Sequence, residues 1–369
     1  MPVALLTPNL PGYRLALYER LARDHGVEVL CYGGGERYIP PWLAGDLDRQ
    51  IAQAPFPARR LSGGAREAYG LGRRYDTVIA PYAGGEILPA AYLGAHRHRR
   101  PFVLWASVWA QPWSLKNALG LPLTLRIYRG ADAVVAYGEH VRRFVARIRG
   151  RDDDVFIAPQ SVEADVFGRA VSEDEIADFR RRYELPPAPL VAYVGRLVEE
   201  KGVGLLLEAW RTAAPAATLL MVGDGPLRDR CAGTDGVRVI GPLTRAELPP
   251  VYAASEFAVL ASIATRRFRE PWGLVCNEAM HQRRPVLAST AVGAAAGGLV
   301  RDGETGLVVP AGDALSLADA LERLLDDPLL CRRLGERAEQ EVAAYNYDAM
   351  ADGFRRALEA AGSHPGRRT

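Results

Sequence analysis

The chain has 369 residues, 49% hydrophobic and 24% charged, a balance that supports a large apolar core and excludes a disordered or fibrous protein. Its 46 basic and 44 acidic side chains give a net charge of +2, which removes the electrostatic drive expected of a dedicated nucleic-acid binder. Two domains are expected at this length, because single cores rarely grow beyond about 250–300 residues. The four cysteines show no metal-ligand or redox spacing, which indicates core thiols in a reducing compartment.

Short apolar runs alternate with segments of helical period, a pattern typical of parallel sheets covered by helices on both faces. In the first half the predicted strands are Val3 to Thr7, Val27 to Tyr32, Thr77 to Ala80, Phe102 to Ala106, Ala133 to Ala136 and Val155 to Ala158. Helices fit between them, for example Tyr13 to Asp24, Glu86 to His96 and Glu139 to Arg149. In the second half the predicted strands are Leu190 to Val194, Thr218 to Val222, Val237 to Ile240, Phe257 to Leu260, Pro285 to Ala288 and Gly306 to Val309. The fold class is therefore α/β.

The polar stretch from Pro159 to Asp174 is the predicted joint, since the strand pattern restarts after it. We expect an N-terminal domain over residues 1–165 and a C-terminal domain over 166–345. The remaining segment, 346–369, holds an amphipathic helix from Tyr347 to Ala361 that is expected to pack back on a domain surface.

Charge and hydropathy also bear on location. No signal-peptide pattern opens the chain and no apolar run reaches membrane-spanning length, so a cytoplasmic protein is expected. Residues 1–170 carry 22 basic and 16 acidic side chains, and five arginines concentrate on one helix and its exit: Arg142, Arg143, Arg147, Arg149 and Arg151. Two interpretations remain open: a solvated helix face, or peripheral contact with anionic lipid headgroups at the inner face of the membrane.

The first segment with candidate functional residues follows the predicted strand Leu190 to Val194. There the chain reads Gly195-Arg196-Leu197-Val198-Glu199-Glu200-Lys201-Gly202, with two cations five residues apart in a loop before a helix. Ligands of doubly wound folds bind at the carboxyl edge of the sheet, where this loop would lie. Lys201 is one of only two lysines beside 44 arginines, a composition that favours a need for a compact ammonium there over a guanidinium.

The second such segment, Glu270 to Met280, carries two carboxylates separated by seven residues. Gly273 opens a helix whose first backbone donors an anion can approach closely, with no side chain in the way. Glu278 lies on the side of an otherwise apolar helix, where a charge is costly without partners. A carboxylate in such a place suits a vicinal diol such as that of ribose.

These segments, together with the turn Gly223-Asp224-Gly225-Pro226, resemble the signature set of glycosyltransferase family 4. The resemblance covers most of residues 155–345 and implies the GT-B architecture, two Rossmann-like domains facing across a cleft. Arg269-Glu270-Pro271-Trp272-Gly273-Leu274 and Ala291-Val292-Gly293-Ala294 are similar to bacterial members that build envelope or capsular polysaccharides. The implied activity is transfer of a sugar, here a hexose, from a nucleoside-diphosphate sugar to a carbohydrate, lipid-linked or small-molecule acceptor. The implied mechanism retains the anomeric configuration and uses neither a metal nor a further cofactor.

The resemblance implies a role for each matching residue. Arg196 and Lys201 would hold the diphosphate, in a loop opened by Gly195, and Glu278 would hold the ribose hydroxyls. Glu270 would hold the hydroxyls of the donor sugar, and the backbone of Gly273 and Leu274 would assist at the distal phosphate. Fixed cations and a helix N-terminus stabilise the charge that grows on a leaving diphosphate.

The first half departs from the family pattern. A glycine pair often follows the first strand, but here the loop reads Asn9-Leu10-Pro11-Gly12-Tyr13, so Gly12 alone offers a close approach. Where the family's histidine would be expected, after Phe102 to Ala106, the chain has Ser107-Val108-Trp109, which makes Trp109 a candidate stacking replacement. Asp46-Leu47-Asp48 and Asp152-Asp153-Asp154 mimic a metal-binding motif, but neither directly ends a clear apolar strand, so solvated loop charges are expected.

Two other classes of function remain compatible with parts of the sequence. A non-catalytic sensor or scaffold could keep the nucleotide-sugar pocket without turnover, although the presence of all four charged motif residues favours an enzyme. A nicotinamide oxidoreductase could use Gly33-Gly34-Gly35, but no Gly-x-Gly-x-x-Gly run opens a helix there.

Overall fold

The computed structural model describes residues 2–33, 46–83, 85–110, 115–213, 215–266 and 268–363, with the backbone alone for 115–119. The chain divides into two compact units, Met1–Gln160 with Tyr347–Thr369, and Ser161–Asn346. This division falls a few residues before the boundary expected at 165, and the segment expected separately at 346–369 groups with the first unit. Gly34 and Gly35 of the triple-glycine run lie outside the described residues.

The strands are β1 (Val3–Thr7), β2 (Val27–Cys31), β3 (Ala58–Arg60), β4 (Thr77–Pro81), β5 (Phe102–Ala106), β6 (Ala133–Ala136), β7 (Val155–Ile157), β8 (Leu190–Val194), β9 (Thr218–Val222), β10 (Val237–Ile240), β11 (Phe257–Leu260), β12 (Val286–Ser289) and β13 (Gly306–Val309). Every strand predicted from the sequence is present within a residue or two of its expected bounds, and β3 is an addition.

The helices are α1 (Gly12–His25), α2 (Leu47–Ala52), α3 (Gly64–Gly70), α4 (Ile87–Arg97), α5 (Leu115–Gly130), α6 (Glu139–Arg149), α7 (Ala164–Phe167), α8 (Glu173–Arg182), α9 (Val203–Ala213), α10 (Arg228–Ala232), α11 (Pro249–Ala253), α12 (Leu274–His281), α13 (Gly293–Ala296), α14 (Ala314–Asp326), α15 (Pro328–Val342) and α16 (Tyr347–Gly362). Short polar residues begin several of them: Asp313 caps α14, Asp327 caps α15, and Ser172 with Glu175 forms a capping box on α8. No helix in the described ranges has the length and hydropathy to cross a bilayer.

The first unit is a seven-stranded parallel sheet in the order β3-β2-β1-β4-β5-β6-β7. Its central strands are buried along their whole length, because helices cover both faces. The helix α16 packs here, against α1 and β6, and places Met350 and Phe354 in the core. The Phe354 ring meets the Trp105 ring edge-on at 5.1 Å between centroids. The apolar face of the amphipathic helix α16 therefore forms part of the core of the N-terminal domain.

The second unit is a six-stranded parallel sheet in the order β10-β9-β8-β11-β12-β13. Its main core joins β8, β9 and β11 to α9, α14 and α15. Two parallel sheets, each with helices, confirm the α/β two-domain fold expected from the sequence. All four cysteines are buried and free, as their apolar neighbourhoods predicted.

Candidate active site

The predicted site residues of the second domain lie at the centre of its sheet. Strands β8 and β11 are neighbours there, and the strand order runs away from them in opposite directions along the sheet. Ligands of open parallel sheets bind outside the carboxyl ends of the strands at such a reversal of order. The loops 195–202 and 261–273 leave β8 and β11 at this edge, and α12 follows the second loop directly.

The loop after β8 is tightly packed on its neighbours. Gly223, at φ 146°, lies so close to Gly195 that a Cβ on it would come within 2.0 Å of the Gly195 carbonyl oxygen. Only glycine permits that approach together with this backbone conformation. The buried Tyr193 hydroxyl donates a 2.7 Å hydrogen bond to the carbonyl of Arg196, and the Arg196 guanidinium lies 3.9 Å from Glu200. The loop backbone is thus fixed while the Arg196 side chain keeps 22% of its surface exposed.

Lys201 and Glu270 come together although they are 69 residues apart in the chain. The Lys201 ammonium donates to Oε2 of Glu270, and the same oxygen accepts a 3.1 Å hydrogen bond from the buried Ser262 hydroxyl. The backbone of Glu270 is held by a parallel bridge to Val292. Only 9% of the Glu270 side chain and 17% of the Lys201 side chain are exposed, so each charge depends on the other for compensation.

The start of α12 has the geometry expected from its glycine. Gly273 caps the helix with φ 95°, and the helix begins at Leu274. Just before it, the Trp272 indole donates a 2.7 Å hydrogen bond to Asn277 within the buried interior. The first N–H groups of an α-helix have no intrahelical acceptor, so this end offers backbone donors at the sheet edge.

Glu278 lies inside α12 and is held by a tyrosine. The Tyr252 hydroxyl, on α11, donates a 2.5 Å hydrogen bond to Oε2 of Glu278. Burial raises the pKa of Glu278, while the Tyr252 hydrogen bond and the charge of Arg245 act to lower it. The charge of Glu278 and its hydrogen bond in turn raise the pKa of Tyr252, after burial as the main cause, so Tyr252 stays a donor.

The thiol of Cys276, on α12, is affected by three of the predicted groups. Burial raises the pKa of Cys276, the negative charges of Glu270 and Glu278 raise it further, and the positive charge of Lys201 lowers it. Lys201, Glu270 and Glu278 thus all act electrostatically on one buried thiol of α12.

The two candidate residues of the first domain sit at its own sheet edge. Gly12 is the exposed first residue of α1, in the connection that leaves β1. Trp109 follows β5, is half-buried, and meets the His140 ring edge-on at 5.3 Å between centroids.

The acidic runs that mimic a metal motif have structural partners. Asp46 caps α2, and Asp48 pairs with Arg60 at 2.7 Å. Asp152 pairs with Arg142 at 2.6 Å, while Asp154 pairs with two arginines at the end of α6. Across the residues that the structure describes, no group of three or more His, Cys, Asp and Glu side chains could hold a metal ion.

Three residues of the site, Ser262, Tyr252 and Arg245, were not predicted from the sequence. Ser262 follows β11 at the carboxyl edge, so the rule that located Lys201 could have located it. Tyr252 had no such signal, since a tyrosine in the apolar run Pro249–Ala254 is typical of core packing. Arg245, which contacts Glu163 and acts on the pKa of Glu278, lies in a polar turn without a distinguishing pattern.

Comparison with known sequences finds a matching family model and several curated glycosyltransferases among the relatives. A family model described as glycosyl transferases group 1 matches residues 188–327. The lipopolysaccharide core biosynthesis glycosyltransferase LpsE of Rhizobium meliloti is 34% identical over 343 residues, which cover 87% of this chain and 94% of LpsE. The alpha-D-kanosaminyltransferase of Streptomyces kanamyceticus is 32% identical over 281 residues, 65% of this chain and 71% of the relative.

Comparison with solved structures shows the same fold. Anabaena HepE, crystallised with UDP and glucose, superposes with a TM-score of 0.78 at 19% identity over 98% of this chain and 100% of HepE. The sucrose-phosphate synthase of Thermosynechococcus elongatus gives a TM-score of 0.71 at 22% identity over 98% and 99% of the two chains. Both likenesses extend through the two units described above.

Proposed function

Because the chain belongs to the group 1 glycosyltransferases, we propose that it moves a hexose from a nucleoside-diphosphate sugar to a carbohydrate, lipid-linked or small-molecule acceptor. The observation that carries this proposal is the contact of Lys201 with Glu270 at the strand-order reversal of the second sheet. It joins a cation suited to phosphate with a carboxylate suited to sugar hydroxyls. Crystals of HepE with UDP and with UDP-glucose support a nucleotide-sugar donor.

In this proposal Arg196 and Lys201 bind the diphosphate, in the loop that Gly195 opens. Negative charge grows on the diphosphate as the sugar-to-phosphate bond breaks, and fixed cations stabilise it without reorganisation. The backbone donors of Gly273 and Leu274 add the positive end of α12 at the distal phosphate. Because Glu270 neutralises Lys201 in the free protein, the ammonium is held in place before the donor arrives.

The two glutamates bind hydroxyl groups at the two ends of the donor. Glu270 accepts hydrogen bonds from the transferred sugar, and Glu278 accepts them from the ribose. From the first domain, Gly12 offers a close backbone approach to the donor and Trp109 offers a ring face for a sugar. Carboxylates suit these tasks because they are acceptors only, with about four lone-pair positions each.

Transfer proceeds with retention of configuration and without a bound metal or further cofactor. Two cations and a helix N-terminus meet the diphosphate charge, the task that a divalent metal performs in other enzymes. We therefore expect the activity to survive excess chelator. Loss of transfer with EDTA and its return with Mg²⁺ or Mn²⁺ would overturn the metal-free mechanism.

The direct experiment supplies a panel of nucleoside-diphosphate sugars and measures release of nucleoside diphosphate. Lys201→Ala should lose on the order of 10²-fold in kcat, since removing one donor to a developing charge costs about 3 kcal/mol. Glu270→Ala should also slow transfer, because it removes the acceptor for the sugar hydroxyls and the partner that holds Lys201 in place. Glu339→Ala, on the exposed face of α15, is the matched control and should keep the activity. Variants that transfer as fast as the unaltered chain would refute the assigned roles. Tight nucleotide-sugar binding without turnover would favour the sensor or scaffold alternative.

We also propose that the enzyme works in the cytoplasm, with peripheral contact of the first domain at the inner membrane face. The helix α6 is a poor candidate for the contact, because Arg142, Arg149 and Arg151 are paired with acidic residues and the Arg149 side chain is fully buried. The surface of α4 and α5 suits it better. Leu93 and Leu123 are 45% and 36% exposed there, and exposed arginines stand on both helices.

Vesicle sedimentation tests this contact. The protein should bind phosphatidylcholine vesicles that contain phosphatidylglycerol, and binding should fall with salt and with Leu93→Glu plus Leu123→Glu. Leu315→Glu, at a leucine that is 68% exposed in the second unit, is the matched control. If the double variant Leu93→Glu plus Leu123→Glu binds vesicles as well as Leu315→Glu does, the surface of α4 and α5 is not the membrane contact.

A further inference from the structure

The hydrogen bond between Tyr252 and Glu278 joins a buried residue of no assigned role to a proposed ligand of the ribose. Tyr252 has none of its surface exposed, and its ring is held within α11, whose N-terminus begins with two prolines. The hydroxyl reaches across to α12 and donates to Oε2 of Glu278 at 2.5 Å. Short hydrogen bonds to a carboxylate are among the stronger ones in proteins.

The contact fixes which part of the carboxylate is available. A glutamate side chain has three rotatable bonds, and its terminal torsion is broad when nothing holds it. The hydrogen bond from Tyr252 restrains Oε2, so rotation of the carboxylate is restricted and Oε1 remains as the second acceptor oxygen. A diol is recognised well only when the acceptor stands in place beforehand, because ordering it during binding would cost affinity.

The surroundings explain why such a contact is needed. Burial favours the protonated form of Glu278, and a protonated carboxyl offers one donor in place of an acceptor. The Tyr252 hydroxyl and the Arg245 guanidinium both oppose that effect of burial. Arg245 is itself engaged by Glu163, whereas the Tyr252 ring is held rigidly by the core.

We propose that Tyr252 is a positioning residue for ribose recognition, which orients the Glu278 carboxylate so that it accepts hydrogen bonds from the 2′- and 3′-hydroxyls of the nucleotide. The inference rests on the proposed role of Glu278. The new element is that the ribose of the nucleotide is selected by residues of both α11 and α12. Tyr252 does not touch the ligand in this arrangement, so removing its hydroxyl should change selectivity for the ribose and leave the chemical step unaltered.

The test measures binding of UDP, GDP and ADP to the full chain, each beside its 2′-deoxy counterpart. The nucleotide that binds the unaltered chain should prefer ribose by about 10-fold or more, as expected for a hydrogen bond to a charged group. Glu278→Gln should lose most of that preference. Tyr252→Phe should lose a comparable part, should bind the 2′-deoxy nucleotide as the unaltered chain does, and should raise the donor KM with little change in kcat.

Tyr193→Phe is the matched control, since it removes another buried tyrosine hydroxyl, one that donates to the carbonyl of Arg196. It should keep the ribose preference whatever it does to overall affinity. Unchanged 2′-deoxy binding by Tyr252→Phe shows that the variant is folded, and a melting curve gives a second measure.

The outcomes separate the two claims. If none of the three nucleotides binds, or if Glu278→Gln keeps the full ribose preference, the proposed role of Glu278 is overturned and this inference with it. If Glu278→Gln loses the preference while Tyr252→Phe keeps it, the role of Glu278 stands and the positioning role of Tyr252 is overturned. If Tyr252→Phe weakens ribose and 2′-deoxyribose binding equally, Tyr252 only maintains the fold, which also overturns the inference.

Discussion

The Lys201–Glu270 pair allows a quantitative test of how the site is built. Lys201→Met leaves the Glu270 carboxylate, 9% exposed, without its ammonium. Breaking a buried ion pair from one side costs about 3–5 kcal/mol, and the 17% exposure of the lysine places the expected loss near the lower limit. Glu270→Gln should cost less, about 1–2 kcal/mol, because the flexible lysine stem can carry its charge toward water and the amide oxygen can still accept from Ser262.

The double variant should be more stable than the sum of the single losses predicts, because each side chain is costly chiefly in the absence of the other. We expect a coupling energy of about 2 kcal/mol, within the range for residues in direct contact. The exposed pair Arg283–Glu339 in the same unit, at 3.0 Å, is the matched control and should couple by less than about 0.5 kcal/mol.

The assay is denaturant-dependent hydrogen exchange of peptides from β8 and β11, which reports the opening free energy of the second unit separately from that of the first. The same cycle at Arg283→Met and Glu339→Gln gives the baseline. A coupling energy for Lys201 and Glu270 no larger than this baseline would refute this expectation, because it would mean that the two charges are compensated by other groups or by water and not by each other.

Three further predictions concern stability. Glu278→Gln should raise the melting temperature at neutral pH, and the gain should shrink as pH falls toward 4.5. Folding raises the pKa of Glu278, so the unaltered protein loses stability as pH rises through that pKa, and the glutamine variant does not. A gain in melting temperature that is independent of pH would contradict the burial argument. Phe354→Ala should destabilise the first unit by about 3–5 kcal/mol and leave the second unit unchanged in unit-resolved hydrogen exchange, since Phe354 is fully buried in the core of the first unit. Gly223→Ala should weaken nucleotide binding and lower the melting temperature, because the new Cβ would overlap the Gly195 carbonyl oxygen; wild-type values of both would show that the loop adjusts freely.

Much of the fold could be predicted because parallel strands buried on both faces are continuous apolar runs. Strand β3 was the exception: Ala58-Arg59-Arg60 is short, lies at the sheet edge and carries two arginines, so hydropathy gives no signal. The site loops were found because they follow strands. The direct contact of Lys201 with Glu270 was not predicted. It depends on β8 and β11 being neighbours in the sheet, and neither segment of sequence contains that information.

Charged clusters were harder to interpret from sequence. The five arginines on and after α6 suggested an open basic surface, yet Arg149 is buried against Asp154 and against two backbone carbonyls. Asp154 follows Arg149 by five residues, and the turn between α6 and β7 brings the two side chains together. Counts of charge along a chain do not reveal which charges the tertiary structure pairs.

The C-terminal helix α16 has a consequence for biosynthesis. It supplies Tyr347, Met350, Phe354, Ala357 and Ala361 to the core of the first unit, although the whole second unit is made before it. During translation the second unit can reach its native state while the N-terminal sheet still exposes the apolar face that α16 will cover. The part of the protein that is synthesised first is therefore completed last, and during that interval it is the half most in need of a chaperone.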